Sequence, residues 1–399
     1  SDAMYMFLSY ISQCKLKKYM IMIKDTNNED VDYKKQVLMH SYMPDKIKQY
    51  ALEKISEMKS NNNDYHKQLL FVKTLLKFPW ISQEETNLFK EKLLEKEPLL
   101  LFNDIEENFN KKVFGHKKAK EQFILQIARW FSNPNGKGYT IGLSGPPGVG
   151  KTLLAKSVGE ILDLPFIQIT LGGQNDGELL HGHGYTYSGS QPGIIIKKMV
   201  EMGKSRCILY FDELDKISET PKGEEIAGIL THLTDTSQNS QFHDKYFAEI
   251  DFDLSKCLFI FSYNDENKVN PILKDRMYRI KTKGYSQKEK TNISKSYLLP
   301  KICEQVRFNN SEIIIPEATV HYIIDHHCNK EDGVRNLKRC LEIIHTKLNL
   351  YRLMKPGSNL FEQDMSLKVQ FPFTVTKDVV DKLIKRENDN ISALYSIYS

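Results

Sequence analysis

Long apolar runs are missing from this chain. Stretches such as Met20 to Ile23 and Cys257 to Ser262 are among the longest, far short of the ~20 residues a membrane helix needs. No membrane partner is therefore expected. An excess of one charge is missing too. Lys and Arg total 56 against 51 Asp and Glu, a net charge of +5 and a pI near 8.6. That balance is too even for a nucleic-acid-binding tail. Cysteine is sparse: Cys14, Cys207, Cys257, Cys303, Cys328 and Cys340, with no C-x-x-C pair. A disulfide framework is thereby excluded, and a reducing compartment, cytoplasmic or otherwise intracellular, fits best. The run His326-His327-Cys328 offers metal-ligating types, but neighbours on a helix point apart, and His181-Gly182-His183 has no evident third ligand. Met4 to Ile11 is apolar but has no basic stretch before it, which argues against a signal peptide. Ser1-Asp2-Ala3 reads as an expression remnant.

What is present is the composition of a soluble globular protein, 40% hydrophobic and 27% charged over 399 residues, enough for two or three domains. Gly145-Pro146-Pro147-Gly148-Val149-Gly150-Lys151-Thr152 matches the phosphate-binding pattern G-x-x-x-x-G-K-[ST]. Its flanks suit it. Tyr139 to Ser144 reads as an apolar strand and Leu153 to Leu162 as a helix. Glycines let backbone N–H groups close around phosphate oxygens, and the helix N-terminus adds positive potential. Lys151 would reach the β- and γ-phosphates of ATP, and the Thr152 hydroxyl would sit on Mg²⁺.

Along the chain, residues 1–30 form an extension without a clear pattern. Residues 31–103 read as a helical domain, with Ile47, Tyr50, Ala51, Ile55 and Met58 at helical spacing. A second helix runs over Tyr65 to Leu76, and a third over Gln83 to Glu97. From 104 to 283 strand and helix candidates alternate. The strands are Tyr139–Ser144, Phe166–Thr170, Cys207–Asp212, Cys257–Ser262 and Met277–Ile280. Alternation argues an α/β domain, a parallel sheet covered by helices on both faces. Residues 284–399 read as a smaller, mainly helical domain, with helices at Gln287–Leu298, Ala318–His327 and Val334–Leu350. A last strand and helix fall between Phe373 and Lys385, before a polar, frayed end.

Four apolar residues, Ile208 to Phe211, deliver Asp212 and Glu213 at a strand end. In a parallel sheet that end lies beside the phosphate loop. Asp212 would hold Mg²⁺, and Glu213 would orient and deprotonate the attacking water. Asn264 closes the following strand, where an amide can sense phosphate or position water, or merely form a turn. Arg276 and Arg335 follow. Most arginines are surface charges, but a loop arginine can act on a neighbouring subunit's nucleotide. Leu171 to Gly193 is glycine-rich and carries Tyr185 and Tyr187, a composition suited to gripping an extended polymer.

Together these residues resemble the ATPase module of the Lon protease family, a branch of the AAA+ proteins, from about Met43 to Lys385. The resemblance rests on Phe78-Pro79-Trp80, Val113-Phe114-Gly115, Gly182-His183 with Thr186-Tyr187-Ser188-Gly189, and Phe211-Asp212-Glu213-Leu214-Asp215-Lys216. It continues through Asp275-Arg276-Met277, Leu298-Leu299-Pro300-Lys301 and Gly333-Val334-Arg335-Asn336-Leu337. It implies a P-loop AAA+ domain with a small helical lid. Phe114 and Gly115 would contact adenine, Asn264 would be sensor 1, Arg276 a finger acting in trans and Arg335 sensor 2. Tyr187, with Ser188 and Gly189, would form the pore loop that grips substrate. ATP and Mg²⁺ are the implied ligands, unfolded or tagged proteins the substrates, and a hexameric homo-oligomer the assembly. Ser188 departs from the family's branched apolar residue, and Asp235-Thr236-Ser237-Gln238-Asn239 from its Asp-Pro-Glu-Gln-Asn. Asp389-Asn390-Ile391-Ser392-Ala393 only faintly imitates the family's nucleophile motif, so peptidase activity is not expected from these residues. The alternative reading is a nucleic-acid-stimulated ATPase or loader.

Overall fold

The computed structural model describes residues 32–60, 65–173, 177–185, 189–248, 250–309, 311–354, 367 and 369–384. The expected N-terminal extension, Tyr187 and Ser188 of the expected pore loop, and the polar C-terminal end with Asp389 to Ala393 lie outside the described residues. Two compact units emerge, 1–80 and 81–399.

Among its described residues the first unit contains α1 (Tyr33–Met39), α2 (Asp45–Ser60) and α3 (Tyr65–Lys77). The Asp32 carboxylate caps α1 by accepting from the Lys35 amide, satisfying one of the amides a helix start leaves unpaired. Val37, Ala51, Phe71, Val72 and Leu75 are buried. Trp80 closes the unit. Its ring meets Phe78 edge-on at 4.8 Å, and its indole N–H donates to the Leu75 carbonyl at 2.9 Å.

The second unit begins with α4 (Gln83–Leu94), α5 (Pro98–Lys112) and α6 (Lys117–Ser132). Pro98 opens α5 at its first position, where its missing N–H costs nothing. Spacing placed a domain boundary near 103. Phe89 and Leu93 of α4 and Ile105 and Phe109 of α5 instead share one buried core with Phe123, Ile127 and Trp130 of α6 and with the sheet.

The sheet is parallel and five-stranded, in the order β2-β3-β6-β1-β7. Its strands are β1 (Thr140–Ser144), β2 (Phe166–Thr170), β3 (Ile208–Asp212), β6 (Leu258–Tyr263) and β7 (Tyr278–Lys281). Each lies within a residue or so of its expected place. β1 and β6 are buried throughout, as a sheet covered on both faces requires. Between the strands run α7 (Lys151–Leu162), the short α8 (Glu178–His181), α9 (Ile194–Met202), α10 (Pro221–Thr234) and α11 (Pro271–Arg276). A small antiparallel hairpin, β4 (Phe242–His243) with β5 (Asp251–Phe252), was not legible in the sequence. Two-residue strands leave too little alternation to read.

The remaining chain builds its own core around Val320, Leu337, Leu341, Ile344 and Val380. Its elements are α12 (Gln287–Ile293), α13 (Leu299–Gln305), β8 (Ile313–Ile314), α14 (Glu317–His327), α15 (Arg335–Leu353), β9 (Phe373–Thr374) and α16 (Lys377–Leu383). A helix stop at Leu298 was expected. The helical path instead runs on through a wider turn at Ser294–Leu298 into α13, with Pro300 in its first turn. There a proline ring is tolerated and the wide turn absorbs the lost bond.

Candidate nucleotide site

β1 lies between β6 and β7, where the strand order reverses, and the loop at its carboxyl end opens into the crevice used by ligands of such sheets. That loop is the glycine-rich stretch. Gly145, Gly148 and Gly150 take φ of 148°, 76° and 91°, conformations that favour glycine. At Gly145 space is also limiting, because a Cβ would stand 2.2 Å from the Thr282 hydroxyl. Gly150 caps α7, so the amides of its first turn face the loop.

Lys151 is 9% exposed. Its ammonium donates to the carbonyls of Gly145 at 2.6 Å and Pro146 at 3.0 Å, and to Asn264 Oδ1 at 2.9 Å. Burial brings its pKa down to about 8, against the pull of Asp212 and Asp215 and with the push of Arg335. Sequence spacing left Asn264 open between turn and site. It stands on the lysine.

The acids follow. Asp212 ends β3, and its Oδ1 accepts from the Ser262 hydroxyl, from the Glu213 amide at 3.1 Å and, at 3.5 Å, from the Tyr210 hydroxyl. Thr152 Oγ1 lies 2.9 Å from the same Tyr210 oxygen. Thr152 and Asp212 are thus joined through one phenol, which burial raises to a pKa of about 12. A hydroxyl and a carboxylate are hard oxygen donors, the set Mg²⁺ takes. Glu213 sits at φ 61°, a left-handed backbone. Its carboxylate rests on Gly172, where a Cβ would fall 1.9 Å from Oε2. Asp215, buried, accepts from the Asp265 amide at 3.1 Å and so braces the turn after Asn264.

Two supports of the loop have a bracing role that the sequence alone does not show. His116 Nε2 and the Tyr285 hydroxyl both reach the Val149 carbonyl, at 2.7 and 2.8 Å, and lie 2.7 Å from each other. Burial lowers the His116 pKa and raises that of Tyr285. Tyr285 also meets Phe114 edge-on at 6.2 Å, and a Cβ on Gly115 would lie 3.8 Å from its ring. Phe114-Gly115 therefore abuts the phosphate loop through Tyr285. A histidine after a glycine and a tyrosine after β7 carry no motif signal, and only their convergence marks them. The second support is Gly333. A Cβ there would stand 2.4 Å from the Pro147 carbonyl, and the next amide, Val334 N–H, donates to Gly148 at 3.0 Å. Arg335, at the start of α15, has its backbone against Gly148.

Arg276 lies elsewhere. Tyr278 pairs with Ile141 and Lys281 with Ser144, so Arg276 sits at the amino edge of the sheet, with β1 between it and the loop. At about 3.3 Å per residue, a strand this long spans roughly 13 Å. The guanidinium donates to the Thr231 carbonyl at 2.6 Å and pairs with Asp235 at 3.1 Å. It lines an open cavity of about 1050 Å³ with Arg129, Lys137, Tyr139 and Thr236. The structure does not bring it to Lys151 of its own chain. Gly189, the described member of the expected pore loop, takes φ 77° with open space around it.

The histidine pairs do not converge. His181 faces Gly177 and Glu225, His183 faces Glu178, His326 faces the Tyr322 carbonyl and His327 faces Asp381. Among the described residues no group of three or more His, Cys, Asp or Glu could hold a metal ion, and no helix is long and apolar enough to cross a membrane.

The ATPase family associated with various cellular activities (AAA) matches residues 141–285. A Lon protease homolog of Acanthamoeba polyphaga mimivirus is 38% identical over 90% of this chain and 36% of its own length. The Lon protease of Clostridium beijerinckii is 31% identical over 86% of this chain and 40% of its own. The peroxisomal Lon protease homolog 2 of Oryza sativa subsp. japonica is 32% identical over 86% and 37%. The chain thus spans well under half the length of these relatives. With its five-stranded parallel sheet and helical lid, the chain carries an AAA ATPase domain and matches part of the Lon proteases over most of its own length.

Proposed function

We propose that this chain hydrolyses ATP with Mg²⁺ to drive polypeptide through the pore of a ring of like subunits, as a Lon-type unfoldase and translocase. The single observation that carries the reading is the Lys151 ammonium, held between two loop carbonyls and Asn264 at the carboxyl edge of the sheet. A buried cation in a glycine cradle is a phosphate site. Amides of Gly148 to Thr152 would bind the phosphates, and Phe114 and Gly115 would border the adenine. Thr152 and Asp212 would hold Mg²⁺, which when bound neutralises phosphate charge. Glu213 takes the proton of the attacking water, and Asn264 aligns that water or the γ-phosphate. Arg335 acts on the nucleotide of its own chain. Arg276, remote from that nucleotide, acts on a neighbour's, and the ring, a hexamer in this reading, is needed for turnover. Tyr187, with Ser188 and Gly189, grips the threaded chain.

The test is ATP turnover with and without a tagged folded protein, in wild type and Tyr187→Ala. Unfolding that depends on ATP and is lost in Tyr187→Ala, with basal turnover kept, supports the reading. Unfolding that survives the substitution sinks the pore role. Turnover stimulated by duplex DNA and falling steeply with salt would favour the nucleic-acid alternative instead.

A further inference from the structure

The glycine-rich loop after β2 has a described base. Short helix α8 leads into it between Gly177 and Gly182, and Gly193 closes it as the cap of α9. The two ends touch: a Cβ on Gly193 would stand 2.8 Å from the Gly182 amide, and the His183 amide donates to Gln191 at 3.2 Å. Two acids outside the loop hold this base. Asp244, fully buried beside β4, accepts from the Gly193 amide through Oδ2 at 2.8 Å and from the Tyr246 amide through Oδ1 at 2.9 Å. A Cβ on Gly182 would stand 2.7 Å from Oδ1, so the carboxylate lies flat on that glycine. Glu225, on α10, lies 3.5 Å from His181 and 2.9 Å from Lys245, and its side chain packs on Gly177. Tyr185 stacks at a tilt on Tyr246, with ring centroids 5.4 Å apart.

None of these groups reaches the phosphate loop, and none is needed for the hydrolysis chemistry above. A buried carboxylate shared between two amides is a strong, directional tie, and it costs desolvation that only a matched pair of donors repays. We infer that Asp244 and Glu225 are positioning residues that lock the base of the glycine-rich loop to the β4–β5 hairpin and to α10, so that loop and hairpin meet a threaded polypeptide as one body. The inference rests on the translocase reading, and it assigns coupling to side chains that touch neither nucleotide nor polypeptide.

The test uses the whole chain, with Asp244→Asn, which removes one acceptor at constant shape, and Glu225→Gln. The latter side chain is 39% exposed, so the second variant tests the tie without a buried change. Turnover is measured with no polypeptide and against rising reduced, carboxymethylated α-lactalbumin. The expected result is unchanged basal turnover and unchanged KM for ATP. At pH 8, above the value of about 7 to which burial raises Asp244, the concentration of polypeptide giving half-maximal stimulation should rise about tenfold, from the loss of one charge-assisted tie. Amide exchange at Gly193 and Tyr246 should quicken together in Asp244→Asn, with β1 and β6 unaffected. Unaltered stimulation in both variants overturns the inference, as does a parallel fall of basal turnover and thermal stability. If wild type shows no response to polypeptide, the translocase reading is what fails. The clamp then stands or falls on exchange alone: joint loss of protection at Gly193 and Tyr246 supports it, and loss at only one overturns it.

Discussion

Lys151 Nζ lies 2.9 Å from Asn264 Oδ1. Lys151 opens α7 after the phosphate loop and Asn264 follows the carboxyl end of β6, so their contact makes one unit of the phosphate loop and the turn after β6. The same ammonium is shared with Gly145 and Pro146, so a phosphate arriving at the loop competes for a cation already bound three ways.

The lysine's depressed pKa gives the first prediction. Its folded value of about 8 lies below the ordinary 10.5, so the unfolded chain binds this proton more tightly. Stability from this group therefore rises with pH between about 8 and 10.5. Nucleotide affinity runs the opposite way, because phosphate needs the ammonium. ATP affinity measured by calorimetry from pH 7 to pH 10 should weaken above about pH 8, and a flat profile would show that Lys151 stays charged throughout.

Glu213→Gln should keep nucleotide binding and lower turnover by about 10²–10⁴, the usual worth of a general base. The amide keeps the shape that rests on Gly172 but cannot take a proton. Steady-state hydrolysis beside equilibrium binding separates the two effects. Turnover within a factor of a few of wild type would remove Glu213 from the chemistry.

Arg276→Ala should lower turnover by about 10³ or more, with ATP affinity in the same chain unchanged. Neither Arg276→Ala nor Lys151→Ala should turn over alone. Mixing them should restore part of the activity, because a mixed ring contains sites with both residues intact. Absence of complementation at every mixing ratio would place the arginine's effect within its own subunit.

The supports of the loop can be tested without touching its motif. Gly333→Ala puts a methyl against Pro147. At the ordinary cost of overpacking, roughly 1–3 kcal/mol, ATP affinity should fall about tenfold or more. Tyr285→Phe removes one hydroxyl from the Val149 carbonyl and should cost about 1 kcal/mol of stability in urea titration. Equal affinity in Gly333→Ala would mean that the loop moves freely away from residue 333.

Most of the fold was legible because the central strands β1, β3 and β6 are short runs rich in Ile, Leu and Phe, and their helices repeat at the helical period. The phosphate loop, Asp212 and Glu213 could be read because their chemistry fixes both residue type and spacing. His116, Tyr285 and Thr282 could not, and Gly333, though part of a family motif, gave no sign of its contact with Pro147. Each is an ordinary residue whose role comes from a partner far along the chain, as with Tyr285 and Val149, 136 residues apart. The boundary near 103 was misplaced for a related reason. Periodicity shows that α4 and α5 have an apolar face, but not which core that face joins.

Those distant partners bear on how the chain is made. Residues 141–285 carry the match to the ATPase family, yet the Gly148 carbonyl takes its amide from Val334, and Gly148 packs against the backbone of Arg335. On a ribosome, the loop is synthesised long before the residues that brace it. Until residue 334 emerges, the glycines that later shape the site are an entropic liability. A nascent chain ending after β7 should hold its sheet but bind nucleotide weakly, so the appearance of nucleotide binding would mark the arrival of the lid.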